Sequence, residues 1–125
     1  MRLLLDTHIL IWSLASPQKV QDTIKYLMED SENSLFVSSI TFYEITFKRQ
    51  IGKLSLKFDF DELLDQKVFS VMDFNHHHAL YASELPLIHR DPFDRILIAQ
   101  SIVENMPLIT ADNAIHQYNF HFIKA

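Results

Sequence analysis

Leu3-Leu4-Leu5-Asp6-Thr7 is a short apolar run closed by two residues suited to capping a helix. It reads as a buried strand, and Ile9, Ile11, Trp12 and Leu14 as the helix that leaves it. The unit recurs along the chain. Leu35-Phe36-Val37 is a second buried strand, and Ser38-Ser39 cap a helix carrying Ile40, Tyr43, Glu44, Phe47 and Ile51 at helical spacing. Gly52 stops that helix. Between the two strands, Pro17 opens a helix through Val20, Ile24, Leu27 and Met28.

Farther on, Asp59 to Val68 reads as a short helix and Phe69-Ser70-Val71-Met72 as a third strand. Asn75 caps a helix through Ala79, Leu80 and Ala82 that ends by Pro86. Asp91-Pro92 opens a strong helix with Phe93, Ile96, Leu97, Ala99, Ile102 and Val103 as its apolar positions. Pro107-Leu108-Ile109-Thr110 is the fourth strand and His121-Phe122-Ile123 the fifth. Short apolar strands alternating with amphipathic helices imply a three-layer α/β/α fold around a central parallel sheet of about five strands. The whole chain, 1–125, is expected to form one domain.

A hydrophobic content of 48% with 22% charged residues is ordinary for a globular chain with a real core. The formal net charge of -5 argues against a protein that coats nucleic acid by bulk electrostatics. It does not exclude a nuclease, because a carboxylate-rich metal site is itself negative. The absence of cysteine removes disulfides, thiolate zinc sites and a cysteine nucleophile. Gly52 is the only glycine, so no Gly-rich phosphate loop is possible. Asp6 and His8 interrupt the apolar N-terminus, which argues against a signal peptide, and no run reaches the roughly 18 apolar residues of a membrane span. A cytoplasmic protein is expected.

Ligands of open parallel sheets bind at the carboxyl ends of the strands. Asp6 closes the first strand there, and Asp112 follows the fourth within Thr110-Ala111-Asp112. Glu44 lies about one turn into the third helix, and Asp94 in the first turn of the helix opened by Asp91-Pro92. Each aspartate alone suits a helix cap, a helix dipole or a turn. Glu44, among Ile40, Tyr43 and Phe47, is poorly placed for solvation alone. Four acids at one sheet end would repel one another strongly without a cation, and a hard, oxygen-ligated ion such as Mg²⁺ or Mn²⁺ suits them.

Asp6-Thr7 after an apolar strand, Glu44-Ile45, His89-Arg90-Asp91-Pro92-Phe93-Asp94-Arg95 and Thr110-Ala111-Asp112, in that order and spacing, resemble the PIN domain. Lys48, Ile51-Gly52-Lys53-Leu54 and Leu85-Pro86 resemble a VapC-like bacterial subgroup. The resemblance implies a PIN-like fold and a metal site at Asp6, Glu44, Asp94 and Asp112. It implies an endoribonuclease that hydrolyses RNA phosphodiesters with Mg²⁺ or Mn²⁺, as the toxin of a toxin–antitoxin pair. A homodimer is implied too, with a small antitoxin partner carrying a DNA-binding N-terminal domain.

Thr7 and Thr110 are candidates to bind phosphate or water, Lys48, Arg49 and Lys53 to form a phosphate-contacting rim, and Arg90 to touch RNA. The two threonines also fit plain turn chemistry, the basic run fits the solvated face that such runs usually form, and Arg90 fits a local salt bridge. Asp91 reads as an N-cap rather than a fifth acid, and His89 is left open. His76-His77-His78 cannot share one ion on a helix, because consecutive residues point in different directions; His78 reads as structural. The alternatives are a catalytically inactive PIN-like RNA-binding module and, less favoured, an aspartate-based phosphatase. The latter usually needs a second aspartate where His8 stands.

Overall fold

A computed structural model describes residues 1–57 and 59–125. Five strands, β1 (Arg2–Leu5), β2 (Ser34–Ser38), β3 (Ser70–Met72), β4 (Leu108–Thr110) and β5 (Phe122–Lys124), form one parallel sheet in the order β3-β2-β1-β4-β5. The helices are α1 (Thr7–Ala15), α2 (Asp22–Glu29), α3 (Ser39–Gln50), α4 (Phe60–Asp65), α5 (His76–Glu84) and α6 (Pro92–Val103). Among the described residues, no helix is long and apolar enough to cross a membrane.

The three leucines of β1 show why the sheet needs cover on both faces. Leu3 and Leu5 point into a core with Ile9, Ile24, Val37, Ile45 and Ile109. Leu4 points the opposite way, into a core with Leu97, Ile98, Leu108 and Ile115. Side chains alternate along a strand, so an unbroken apolar run is stable only when both faces are buried. The expected three-layer α/β fold with five parallel strands is what forms.

From β1 the chain winds outward to β2 and β3, then returns to the other side of β1 for β4 and β5. The reversal leaves a crevice beyond the carboxyl ends of β1 and β4. Asp6 enters that crevice with its N–H still donating to Ile109 O at 3.0 Å, so the ladder fixes its backbone.

Three local expectations change. The helix expected to start at Pro17 begins at Asp22, after a 3₁₀ turn at Pro17–Lys19. Val20 turns inward in an extended conformation and is buried, which breaks the run. The helix expected over Asp59 to Val68 is α4 alone: Asp59 caps it with bonds from Asp61 N and Glu62 N, and Lys67 adopts a left-handed φ of 55° beyond its end. Helix α3 is rotated relative to its apolar stripe. It buries Thr41, Glu44 and Ile45, while Tyr43, Phe47 and Ile51 face solvent.

The histidine triplet resolves as its helical geometry requires. His76 and His77 are exposed, and His78 is fully buried. Its Nδ1 accepts from Asn75 N at 3.1 Å, completing a reciprocal cap of α5, and its Nε2 lies 2.9 Å from Glu104 Oε1. With Nδ1 an acceptor, Nε2–H is the donor.

Candidate active site

The crevice collects acids from four separate elements. Asp6 ends β1, Glu44 sits on the buried face of α3, Asp94 is in the first turn of α6, and Asp112 follows β4. Asp6, Glu44 and Asp94 are 1%, 1% and 5% exposed, which is rare for carboxylates and requires compensation.

Two threonines supply part of it. Thr110 donates its hydroxyl to Asp6 Oδ2 at 2.7 Å, and Thr7 donates to Glu44 Oε1 at 2.7 Å. Both threonines are buried. Each hydroxyl proton is directed at a carboxylate, and Thr7 also lines the groove that reaches Glu44. Thr110 also accepts from Asp112 N at 3.1 Å, which ties the β4 end to the acid beyond it. Lys48 reaches back one turn along α3 to Glu44 Oε2 at 2.5 Å. Burial opposes its charge, but the bond and attraction to Glu44, aided by Asp91 and Asp94, hold its pKa above the ordinary lysine value.

Asp94 is the hub. Its carboxylate belongs to two groupings compact enough to hold an ion, one with Glu44 and Asp91 and the other with His89 and Asp112. Burial, and then the negative charges of Asp6, Asp91, Glu44 and Asp112, push its pKa up to about 8. Asp6 lies outside both groupings. Its pKa is also raised, chiefly by burial, with Glu44 and Asp112 adding to the effect against the Thr110 hydrogen bond and the attraction of His8.

Asp91 is both a cap and a neighbour of the acids. It accepts from Phe93 N at 2.9 Å and from Asp94 N at 3.4 Å, yet a carboxylate oxygen still lies within the Glu44–Asp94 grouping. A cap uses one carboxylate edge, so the two roles are compatible. His89 joins from the preceding loop, with Nε2 at 2.8 Å from Asp94 Oδ2 and 3.5 Å from Asp112 Oδ2. His89 Nε2 makes no hydrogen bond among the described residues, so the approach is an ion pair only when the imidazole is protonated. The loop itself is pinned by Arg95, which donates to the carbonyls of Ala82, Leu85, Pro86 and His89, and by Tyr118, whose hydroxyl donates to Pro86 O.

The basic residues divide. Lys48 and Lys53, with His8, Trp12 and Lys19, line a groove of about 440 Å³ that ends at Glu44. Arg49 does not share it; it lines a separate groove beside Asp59 and Asp61. Arg90 is exposed and lines a third groove against α5, with Phe74 and Arg95. Of the expected rim residues, Lys48 and Lys53 come together and Arg49 is set apart, because successive helical residues point in different directions. Lys19, distant in sequence, lines the same groove as Lys48 and Lys53.

A divalent cation fits this donor set. Asp6 Oδ1 is buried without a hydrogen-bond partner among the described residues, and a buried anionic oxygen left so is costly. The two groupings that share Asp94 add carboxylate oxygens and one imidazole, donors suited to Mg²⁺ or Mn²⁺.

The family model for the PIN domain matches residues 3–121. No curated protein matches the chain significantly. The fold is similar to a chain of VapBC2 from Rickettsia felis bound to a DNA fragment from its promoter, at 20% identity, covering 99% of this chain and 98% of that one, with a TM-score of 0.72. It is similar to a chain of DNA-bound VapBC from Salmonella typhimurium, at 14% identity, 99% and 98% coverage and a TM-score of 0.71. A toxin–antitoxin complex from Klebsiella pneumoniae contains a third such chain, at 16% identity, 98% and 96% coverage and a TM-score of 0.69.

Proposed function

The chain belongs to the PIN-domain family, and from that membership we propose that it is a divalent-metal-dependent endoribonuclease, the toxin of a toxin–antitoxin pair. The observation that carries the reading is the convergence of Asp6, Glu44, Asp94 and Asp112 on one crevice, with Asp94 common to two ion-sized groupings. Asp6, Glu44, Asp94 and Asp112 would hold Mg²⁺ or Mn²⁺, with Asp91 and His89 beside them. When bound, such an ion supplies Lewis-acid polarisation and lowers the pKa of water.

The chain's own residues prepare the site for that chemistry. Thr110 and Thr7 fix the orientation of the Asp6 and Glu44 carboxylates. Lys48 offsets the charge of Glu44 and keeps the cluster from repelling an approaching phosphate as strongly as bare carboxylates would. His89, held by the loop that Arg95 pins, sits between Asp94 and Asp112. The groove of Lys19, Lys48 and Lys53 leads to the acids and suits a polyanionic backbone despite the net charge of -5.

The structures it resembles are of toxin–antitoxin complexes, two of them bound to DNA. That likeness supports a small antitoxin as partner, and the same reading takes the antitoxin's N-terminal domain to bind DNA, the toxin to be a homodimer and its site of action to be the cytoplasm. Purified away from any partner, the protein should cut structured RNA in Mg²⁺ or Mn²⁺ and stop in EDTA. Expressed alone in bacteria it should arrest growth. RNA left intact by soluble, metal-loaded protein ends the nuclease reading.

The groove makes a separate prediction. Lys19→Gln with Lys53→Gln leaves the Lys48–Glu44 pair intact and removes two candidate phosphate contacts. The slope of log affinity against log salt for single-stranded RNA should then fall by roughly 1.4, at about 0.7 per lost contact. An unchanged slope in a salt titration assigns those lysines to a merely solvated face.

A further inference from the structure

Helix α3 presents an aromatic surface that the acid cluster does not use. Tyr43 is 58% exposed and Phe47 37% exposed, and their rings stack near-parallel, with centroids 6.0 Å apart and an interplanar angle of 24°. Phe93 of α6 closes the group at 6.0 Å from Tyr43 and 6.5 Å from Phe47. The rings and the acids share two helices: Tyr43 and Glu44 lie on α3, and Phe93, whose N–H donates to Asp91, and Asp94 lie on α6. Lys48 links the two sites, bonded to Glu44 and 6.0 Å from the Phe93 centroid.

Exposed, clustered aromatic rings beside a charged site mark a contact surface. The chemistry on either side selects the occupant. The Lys48 and Lys53 groove suits a phosphodiester backbone, the acids lie where a phosphate would be processed, and the rings offer a flat face one step away. An aliphatic protein side chain prefers a pocket, whereas a nucleobase stacks on an open aromatic face. A base within a duplex already has its faces covered, so only an unpaired base can use the surface. We propose that Tyr43, Phe47 and Phe93 form a stacking platform for an unpaired nucleobase flanking the scissile phosphate.

This inference rests on the nuclease reading, and one set of measurements separates their failures. The probe is a short single-stranded RNA carrying 2-aminopurine, whose fluorescence falls when it stacks; affinity is measured in Ca²⁺ and cleavage in Mn²⁺. Wild type should bind and quench. Tyr43→Ala with Phe47→Ala should lose the quench and bind about 5- to 150-fold more weakly, the range for loss of one base–aromatic stack, with KM rising more than kcat falls. Tyr43→Phe should restore most of the affinity, and a fully paired duplex of the same length should be indifferent to all these changes. Both altered residues are exposed, so the variant keeps its core. Unchanged affinity and quench in the double variant overturn the platform and assign the rings to a protein partner. A fall in kcat alone also overturns it, since that would be damage to Asp94. A wild type that binds and quenches without cutting sinks the nuclease reading and leaves the platform standing. A wild type that does not bind sinks both.

Discussion

Asp94→Asn is expected to lower kcat for RNA cleavage by on the order of 1,000-fold, with KM moving far less. Asparagine preserves the shape of the side chain and removes the one carboxylate common to both ion-sized groupings. A bound ion contributes several kcal/mol to the transition state, and each 1.36 kcal/mol is a factor of about ten in rate. Neighbouring substitutions give a graded series that tests the geometry as well as the charge. Thr110→Val and Thr7→Val remove only the hydroxyls that orient Asp6 and Glu44, so losses of roughly 10- to 100-fold are expected. Asp91→Asn keeps a competent cap and should lose less than Asp94→Asn. Single-turnover rates at saturating Mn²⁺, with circular dichroism to verify folding, provide the comparison. Near-wild-type turnover in Asp94→Asn would place the chemistry elsewhere.

The parts of this site legible in sequence are those tied to strand ends. Asp6 and Asp112 stand directly after apolar runs, and in a parallel sheet that position alone puts them at the ligand-binding edge. Asp94 was legible through its distance from the Asp91-Pro92 cap. What sequence could not supply was rotation about helix axes. The stripe Ile40, Tyr43, Phe47, Ile51 has helical period and reads as core-facing, but α3 buries Thr41, Glu44 and Ile45 instead. A buried Glu44 needs Thr7 and Lys48, and satisfying those bonds turns the aromatic stripe outward. The same rotation separates Lys48 from Arg49.

His89 and the free edge of Asp91 were beyond reach for a different reason. Their places depend on a loop held by Arg95 and Tyr118, and Tyr118 comes from beyond β4. The useful signal was the density of the His89 to Arg95 segment, where a cap, an acid and a cation fall within seven residues.

In the absence of divalent metal, wild type should lose stability as pH rises from about 4 to about 8, and Asp94→Asn should lose markedly less. The sign follows from proton binding. Asp94 has an ordinary value of 3.8 in the unfolded chain and about 8 when folded. Between those values the folded protein holds a proton that the unfolded chain has released, so raising the pH favours unfolding. The stability is full below the unfolded value and lost as pH passes through the folded one. Groups facing Asp94 act in concert: Asp6, Glu44, Asp91 and Asp112 repel its charge, while Lys48 attracts it and His89 Nε2 lies 2.8 Å from Oδ2. Asp6, itself raised, leaves a residual decline in the variant. At pH 8 the metal-free variant should therefore be the more stable protein, by on the order of 1–4 kcal/mol, since each tenfold change in proton affinity is worth about 1.36 kcal/mol. Mg²⁺ should reverse the order by binding the folded, ionised wild type in preference to the unfolded chain, and should help the variant much less. Denaturant titrations of both proteins at pH 5 and pH 8, with EDTA and with millimolar Mg²⁺, measure every quantity involved. A metal-free variant less stable than wild type at pH 8 would mean that Asp94 serves α6 as a helix-end charge. An equal response of both proteins to Mg²⁺ would remove Asp94 from the metal site.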